Sequence, residues 1–335
     1  MPTPQVLLDN LMTGSVLTSR NLTLIPLVHK EPARPAIPYL LAATALDRDL
    51  LTVTEADDSG SVPELRAVND ADIAVLLLDG EELIGAKQNR ILNTDVLLSP
   101  HTGKMIPVSC VEQGRWHHTR PDFAPGGHAP PPIRARKSRT VGRNLKESNE
   151  AVANQCEVWD GVDMVLDGMA TSSHTAAMCD AYDQHRDDLA SRRADLRCPP
   201  DAVGVIALIN GAFAALDLFD SPSTVQQFWP RLVTGYAVDA TMRVDQQPTS
   251  TPPTADAADI LRRLGRVDCT VCDGVDLGED WRFESADLVG SALVIKNSPV
   301  HLSAFPNDTG YERAMNHQGR IAPPSQRHHG HGPVC

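Results

Sequence analysis

The sequence predicts an α+β fold, and three observations carry that prediction. Strand-like apolar runs crowd residues 22–112, helix-like patterning fills about 144–197, and strand-like runs return at 203–305. Connections in the first block are too short for crossovers, and parallel neighbours need about a dozen or more linking residues, so the strands are mainly antiparallel. Strands, then helices, then strands is not the alternation of a βαβ protein. No internal repeat is seen. The two strand blocks are therefore expected to complete one sheet system with the helical middle packed on it. That gives a single interwoven domain over 1–305. Residues 306–335, ending HHGHGPVC, hold too few apolar side chains to form a core and are expected to be a disordered tail.

The elements follow in order. VLLDNLM at 6–12 reads as a short helix, LTLIPLV at 22–28 as a strand, LLAATALD as a short helix and LLTVTE at 50–55 as a strand. LRAVN, IAVLLLD, EELIGA, ILNTDVLL and KMIPVSCVE then give five strands, with Asp79–Gly80 as a hairpin signal. PDFAPGGHAPPPI at 121–133 is too rich in Pro and Gly for regular structure, and the basic stretch Arg134–Arg143 after it reads as a mobile flap beside a site. HTAAMCDAYDQHRDDLASRR has helical spacing with Asp–Arg pairs on its wet face. VGVIALI and AFAALDLF, joined at Asn210–Gly211, form a second hairpin. Ser221 and Pro222 open a long helix whose Pro230 should kink or split it. QQPTSTPPT at 246–254 is a linker and ADAADILRRLG a helix; RVDCTVC, WRFES, LVGSALVIKN and VHLSAF are the closing strands.

Composition removes several function classes. The chain of 335 residues is 41% apolar and 22% charged, ordinary globular usage. Its net charge of −13 opposes nucleic acid or an anionic membrane as partner, because phosphate repels an acidic surface. No apolar run reaches the ~18 residues of a membrane span, and MPTPQVLLDNLMTGS lacks the pattern of a signal peptide. Seven scattered cysteines without a secretory signal point to reduced thiols and a cytoplasmic location. Cys269 and Cys272 form a lone CTVC pair, which is weak support for zinc and fits strand cysteines better. There is no P-loop, no GxGxxG fingerprint and no GxSxG elbow around Ser109 or Cys110. No cofactor follows from the sequence, and oligomeric state is not legible in it.

One stretch concentrates polar chemistry. VLLLDGEELIGAKQNRILNTDVLLSPHTGKMIPVSCVEQGRW, residues 75–116, sets Glu81, Glu82, Lys87, Gln88, Arg90, Asn93, Glu112, Arg115 and Trp116 between strand-like runs. Polar groups at the ends of buried strands are held rigidly, as a small-molecule site requires. Glu82 and Glu112 are the catalytic candidates, since paired carboxylates activate water or hold a hard cation. Glu81 and Glu82 are adjacent in a strand, so only one of them can face a common site. Lys87, Arg90 and Arg115 are candidates for phosphate or carboxylate, with Gln88 and Asn93 for a ribose or base edge. Arg282, alternating with Asp280 in GEDWRF, adds a further cation. Core packing is the expected fate of Trp116 and Trp159, with base stacking the alternative. His301 is expected to be a hydrogen-bonded core histidine. The competing account of the whole set is a structural ion-pair network, in which Glu82 or Glu112 pairs with Arg90 or Arg115. A single site requires Glu82, Lys87, Arg90, Glu112 and Arg115 to line one concavity.

LLDGEELIGAKQNRILNTDVLL and IPVSCVEQGRW resemble the bacterial family of ADP-ribosylglycohydrolase (ARG) and Rhodanese-Phosphatase-superfamily-associated proteins. The resemblance continues through QCEVW, VGVIALINGAFAALDLF, GYAVDA, LGEDWRF and VHLSAF, so it spans roughly residues 1–305. The family is named for the genes it accompanies, and the resemblance implies a setting in NAD and ADP-ribose metabolism rather than a stated activity. Together with the polar segment it points to an enzyme or processing factor, such as a hydrolase, for a phosphate-bearing nucleotide or ADP-ribose-like metabolite. A non-catalytic binding or sensor protein would use the same cations and amides without the carboxylates.

Overall fold

The computed structural model describes residues 2–31, 35–56, 63–244 and 253–307. The first half of the chain runs α1 (Gln5–Leu8), β1 (Leu11–Thr13), β2 (Leu17–Ser19), β3 (Leu22–His29), β4 (Tyr39–Leu41), α2 (Ala42–Asp47), β5 (Leu51–Glu55), β6 (Glu64–Asn69), β7 (Ala74–Leu77), β8 (Glu81–Gly85), β9 (Arg90–Leu92), β10 (Val96–Leu98), β11 (Thr102–Cys110) and β12 (Phe123–His128). It continues with α3 (Pro131–Ser148), α4 (Gln155–Gly168), α5 (Cys179–Gln184), α6 (Arg186–Ala194), β13 (Ala202–Ile209), β14 (Ala212–Phe219), α7 (Pro222–Met242), α8 (Pro253–Leu264), β15 (Cys269–Asp273), β16 (Glu279–Glu284), β17 (Leu288–Ile295) and β18 (Ser298–Pro306). The class is α+β, and the strand pairs are antiparallel apart from β4 on β7.

The largest sheet has nine strands in the order β1-β3-β13-β14-β18-β17-β16-β15, with β2 also on β3. It is buried on both faces because successive side chains alternate sides. Val205, Ala207 and Ile209 of β13 enter one core with Phe228, Trp229 and Leu232 of α7. Ile206 and Leu208 enter the opposite core with Ile260 and Leu264 of α8. Asn210 and Gly211 turn the β13–β14 hairpin with φ of 52° and 79°, as the NG signal predicts. The remaining first-block strands build a six-stranded sheet, β12-β8-β9-β11-β6-β5, and a three-stranded one, β10-β7-β4.

The two blocks interlock differently from the expectation. Only β1–β3 join the C-terminal strands, while the rest of the first block makes its own sheets and extends past residue 112 to β12. Asp79–Gly80 does not close a hairpin, because β7 and β8 belong to different sheets. The turn instead carries the chain from one sheet to the next, with Gly80 at φ 78° against the Arg134 side chain. ILNTDVLL splits into β9 and β10, and VLLDNLM is helical only to Leu8 before Leu11–Thr13 pairs with β3.

The Pro/Gly-rich stretch is also regular where irregularity was expected. Phe123–His128 pairs with β8, and Pro131 and Pro132 occupy the first turn of α3, where a missing N–H costs nothing. The basic stretch expected to be a flap is the body of this helix, and Arg134 and Lys137 are fully buried. Both cations meet carboxylates in the interior, which outweighs the mobility their charge suggested. Ser221 caps α7 by accepting from the N–H groups of Ser223 and Thr224, and the helix continues unsplit through Pro230 to Met242. The expected linker at 246–254 lies largely, and the expected tail at 306–335 from residue 308 onward, outside the described residues. Among the described residues no helix is long and apolar enough to cross a membrane.

Candidate functional site

The polar residues of 79–116 divide into two networks. The first is interior and ties α3 to both large sheets. Lys137 donates to Asp79 and, at 3.0 Å, to the Asn93 carbonyl. Arg134 grips Asp217 of β14 through Nη1 and Nη2 at 3.1 and 2.5 Å. Tyr236 of α7 donates to the same carboxylate. His301 of β18 lies between Asp217 and Asp95, 3.0 and 2.9 Å from their oxygens. Arg282 makes a fork on Asp280 at 2.6 and 2.7 Å, and its Nη2 also reaches the Thr94 hydroxyl.

This interior set is closely balanced in charge. Burial alone would lower the His301 pKa, but Asp95 and Asp217 raise it to about 9, so the ring is cationic at neutral pH. Burial would raise the Asp217 carboxyl, yet Arg134 and His301 hold it well below the ordinary range. Asn93 is fully engaged: its amide donates to the Val108 and Ala151 carbonyls and accepts from Ser109. Asn93 and Arg282, expected at the ligand site, are thus placed in this network. Thr94 and Asp280 at its edge line a cleft of about 500 Å³.

The second network lies at the β8–β9 turn and in the segment after β11. Glu112 and Arg115 pair through two contacts, Nε to Oε1 at 2.8 Å and Nη2 to Oε2 at 2.6 Å. Glu112 also accepts from the Asn89 N–H and the Thr175 hydroxyl. Arg115 further donates to the Gly85, Ala86 and His117 carbonyls and to Asn89. This pair staples the turn, and neither side chain has a group to spare for a ligand.

Arg90 differs. Its guanidinium is 0% exposed and forms no ion pair among the described residues. Nη1 donates to Gln88 Oε1 at 2.9 Å, and the same oxygen accepts from the Cys110 thiol. Nε and Nη2 have no partner. These two N–H groups form one edge of the guanidinium, the edge that meets two oxygens of a phosphate or carboxylate side by side. Trp116 lies over the site, its ring centre 6.0 Å from the Arg90 guanidinium and 5.6 Å from Lys87 Nζ. Trp116 is 49% exposed, so the packing expected for it is not observed.

Glu81 and Glu82 separate as their adjacency requires. Glu81 accepts from Arg231 of α7 at 2.8 Å. Glu82 is 0% exposed; among the described residues it accepts only from the Gly127 N–H at 3.3 Å, and Oε1 has no partner. Burial, reinforced by Glu112, Asp183 and Asp180, pushes its pKa up to about 8. In the β8–β9 register Glu82 stands opposite Ile91 and Leu83 opposite Arg90, so Glu82 and Arg90 leave opposite faces of the strand pair. The structure therefore joins Lys87, Gln88, Arg90, Glu112, Arg115 and Trp116 in one neighbourhood and turns Glu82 away from the Arg90 fork.

Asp79, Asp95, Lys137, Asp217 and Tyr236 escaped the sequence reading as a connected set. The one available signal was a lone carboxylate inside an apolar strand, Asp217 in AFAALDLF.

No curated protein and no solved structure matches the chain. The family model of the ARG and Rhodanese-Phosphatase-superfamily-associated Protein domain matches residues 10–305, a span that begins before β1 and takes in both networks and all but the last residue of β18, and the chain belongs to that family.

Proposed function

We propose that this protein acts on a phosphate-bearing nucleotide or an ADP-ribose-like metabolite bound at the β8–β9 turn. The observation that carries the reading is Arg90, a buried cation with an unpartnered two-donor edge and no ion pair among the described residues. Taking an ion out of water without a partner is costly, and an incoming anion removes that cost. Lys87 adds a second positive charge beside the same ring. The exposed indole of Trp116 offers a face for a base or sugar. The family's association with ADP-ribosylglycohydrolase favours ADP-ribose chemistry over other phosphates. A small molecule in the cytoplasm, not nucleic acid or membrane, suits a chain of net charge −13.

A non-catalytic binder or sensor is the second reading, and a specific observation favours it. Glu112 is saturated by Arg115, Asn89 and Thr175, and Glu82 faces away from Arg90. Thermal-shift titration with ADP-ribose, NAD, ADP and inorganic phosphate tests the ligand class. Product analysis with Glu82→Gln and Glu112→Gln then separates the readings: an enzyme loses turnover in a folded variant, whereas a binder shows no turnover and keeps its affinity. No stabilisation by any of the four ligands contradicts both.

A further inference from the structure

The Glu82 side of the strand pair carries a different charge problem. Glu112, Asp183 and Asp180 each add negative charge that acts on Glu82. Arg115 answers Glu112, and Arg186 answers Asp183 at 2.7 Å. Glu82 and Asp180 form no ion pair among the described residues. Glu82 Oε1 is buried and unpartnered beneath a partly exposed rim made by Gly126, Gly127, Cys179, Asp180 and Tyr182.

The two rim glycines differ: a Cβ added at Gly126 would meet Ile84 at 2.9 Å and Glu82 at 3.0 Å, whereas Gly127 leaves ordinary contact space beside the carboxylate. A Cβ added at Gly127 would stand 3.5 Å from Glu82 Oε2 and 3.6 Å from the Tyr182 ring, ordinary contact distances. The Cys179 thiol is pushed up by burial and then by Glu82 and the neighbouring acids, so it brings no competing thiolate. Among the described residues no group of three His, Cys, Asp or Glu side chains converges as metal ligands do. The carboxylates surround the position without closing on a point, which suits a broad organic cation better than a metal ion.

We propose that Glu82, with Asp180 at its rim, is a binding site for an organic cation, the guanidinium or primary ammonium group of a small ligand. The site is separate from the Arg90 edge and does not depend on it. A guanidinium keeps its charge at any pH the protein tolerates, so only Glu82 has to change protonation. Without a ligand Glu82 holds a proton, and a bound cation releases it. Binding therefore strengthens as pH rises through about 8 and is accompanied by proton release below that pH. Glu112, Asp180, Asp183, Cys179 and Tyr182 are the titratable groups facing Glu82 from the surrounding segments. Arg115 and Arg186 are the cations paired within the acidic ring.

Agmatine, which carries a guanidinium and an ammonium but no carboxylate, is the probe. Calorimetric titration of the full chain at pH 6 and pH 9, repeated at pH 7 in buffers of different ionisation enthalpy, reads affinity and proton release together. The expected result is affinity higher at pH 9 by roughly one to two orders of magnitude, with close to one proton released per agmatine at pH 7. Glu82→Gln should abolish the proton release and most of the binding, and Asp180→Asn should weaken binding several-fold without changing its pH dependence. Absent binding to the wild type, binding unaltered in a folded Glu82→Gln protein, or magnesium or calcium displacing agmatine at equal concentration would each overturn the proposal.

Discussion

Arg134 of α3 and Asp217 of β14 form a two-pronged ion pair with neither side chain reaching solvent. The pair fixes α3 on the nine-stranded sheet, and Tyr236 and His301 meet the same carboxylate. Removing one partner strands the other charge in the interior. Asp217→Asn is therefore expected to cost about 3–5 kcal/mol in urea unfolding, the usual loss on breaking a buried pair. A loss below about 1 kcal/mol would show that water reaches the network.

His301 makes stability fall at alkaline pH. Its folded pKa of about 9 lies above the ordinary 6.5, so the folded state holds the proton more tightly than the unfolded one. The stabilisation is complete below about 6.5 and is lost as pH rises through 9. Glu82 acts in the same direction over a lower window, from its ordinary 4.5 up to about 8. Melting temperatures recorded from pH 5 to 10 should fall through both windows. His301→Gln should flatten the upper window and Glu82→Gln the lower one. A wild-type curve flat between pH 5 and 9 would contradict both assignments.

Arg115 and Arg90 should respond oppositely to loss of charge. Arg115→Met leaves Glu112 buried and unpaired and strips three carbonyls of a donor, so a loss of about 3 kcal/mol or more is expected. Arg90→Met removes a buried cation that has no ionic partner and replaces it with an apolar chain. Without ligand, that variant should melt at or above the wild-type temperature, the trade expected of a binding residue. Equal destabilisation by the two substitutions would make Arg90 a structural residue.

Backbone geometry at the site gives a further check. Gly85 has φ 142°, and a Cβ there would lie 2.4 Å from the Asp122 carbonyl. Gly85→Ala should therefore lower the melting temperature and open the β8–β12 end, seen as faster amide exchange over residues 120–126. Unchanged exchange would show that the loop yields without cost.

The sequence announced this fold unevenly, for physical reasons. Patterns set by neighbours along the chain were readable: the Asn210–Gly211 turn, the Ser221 cap and the closing strands each depend on a few adjacent residues. Sheet membership was not, because β7 and β8 are separated only by a turn yet choose partners far along the chain. Arg134 and Lys137 looked like a solvated flap since their partners, Asp217 and Asp79, lie 83 and 58 residues away. Within the site, the residue types at 87–90 and 112–116 signalled an anion. Which arginine was already satisfied depended on carbonyls that carry no sequence signal. The adjacency rule separated Glu81 from Glu82, but the strand register was needed to put Glu82 and Arg90 on different faces of the β8–β9 pair.

The unpartnered edge of Arg90 is the proposed seat of the ligand phosphate. Calorimetric titration of ADP-ribose into the wild type and Arg90→Met tests it most directly, with Arg282→Lys as a control in the other network. Saturable binding to the wild type is expected, at least tenfold weaker in Arg90→Met, a loss of about 1.4 kcal/mol or more, and unchanged in a folded Arg282→Lys protein. Wild-type affinity retained by Arg90→Met would contradict it.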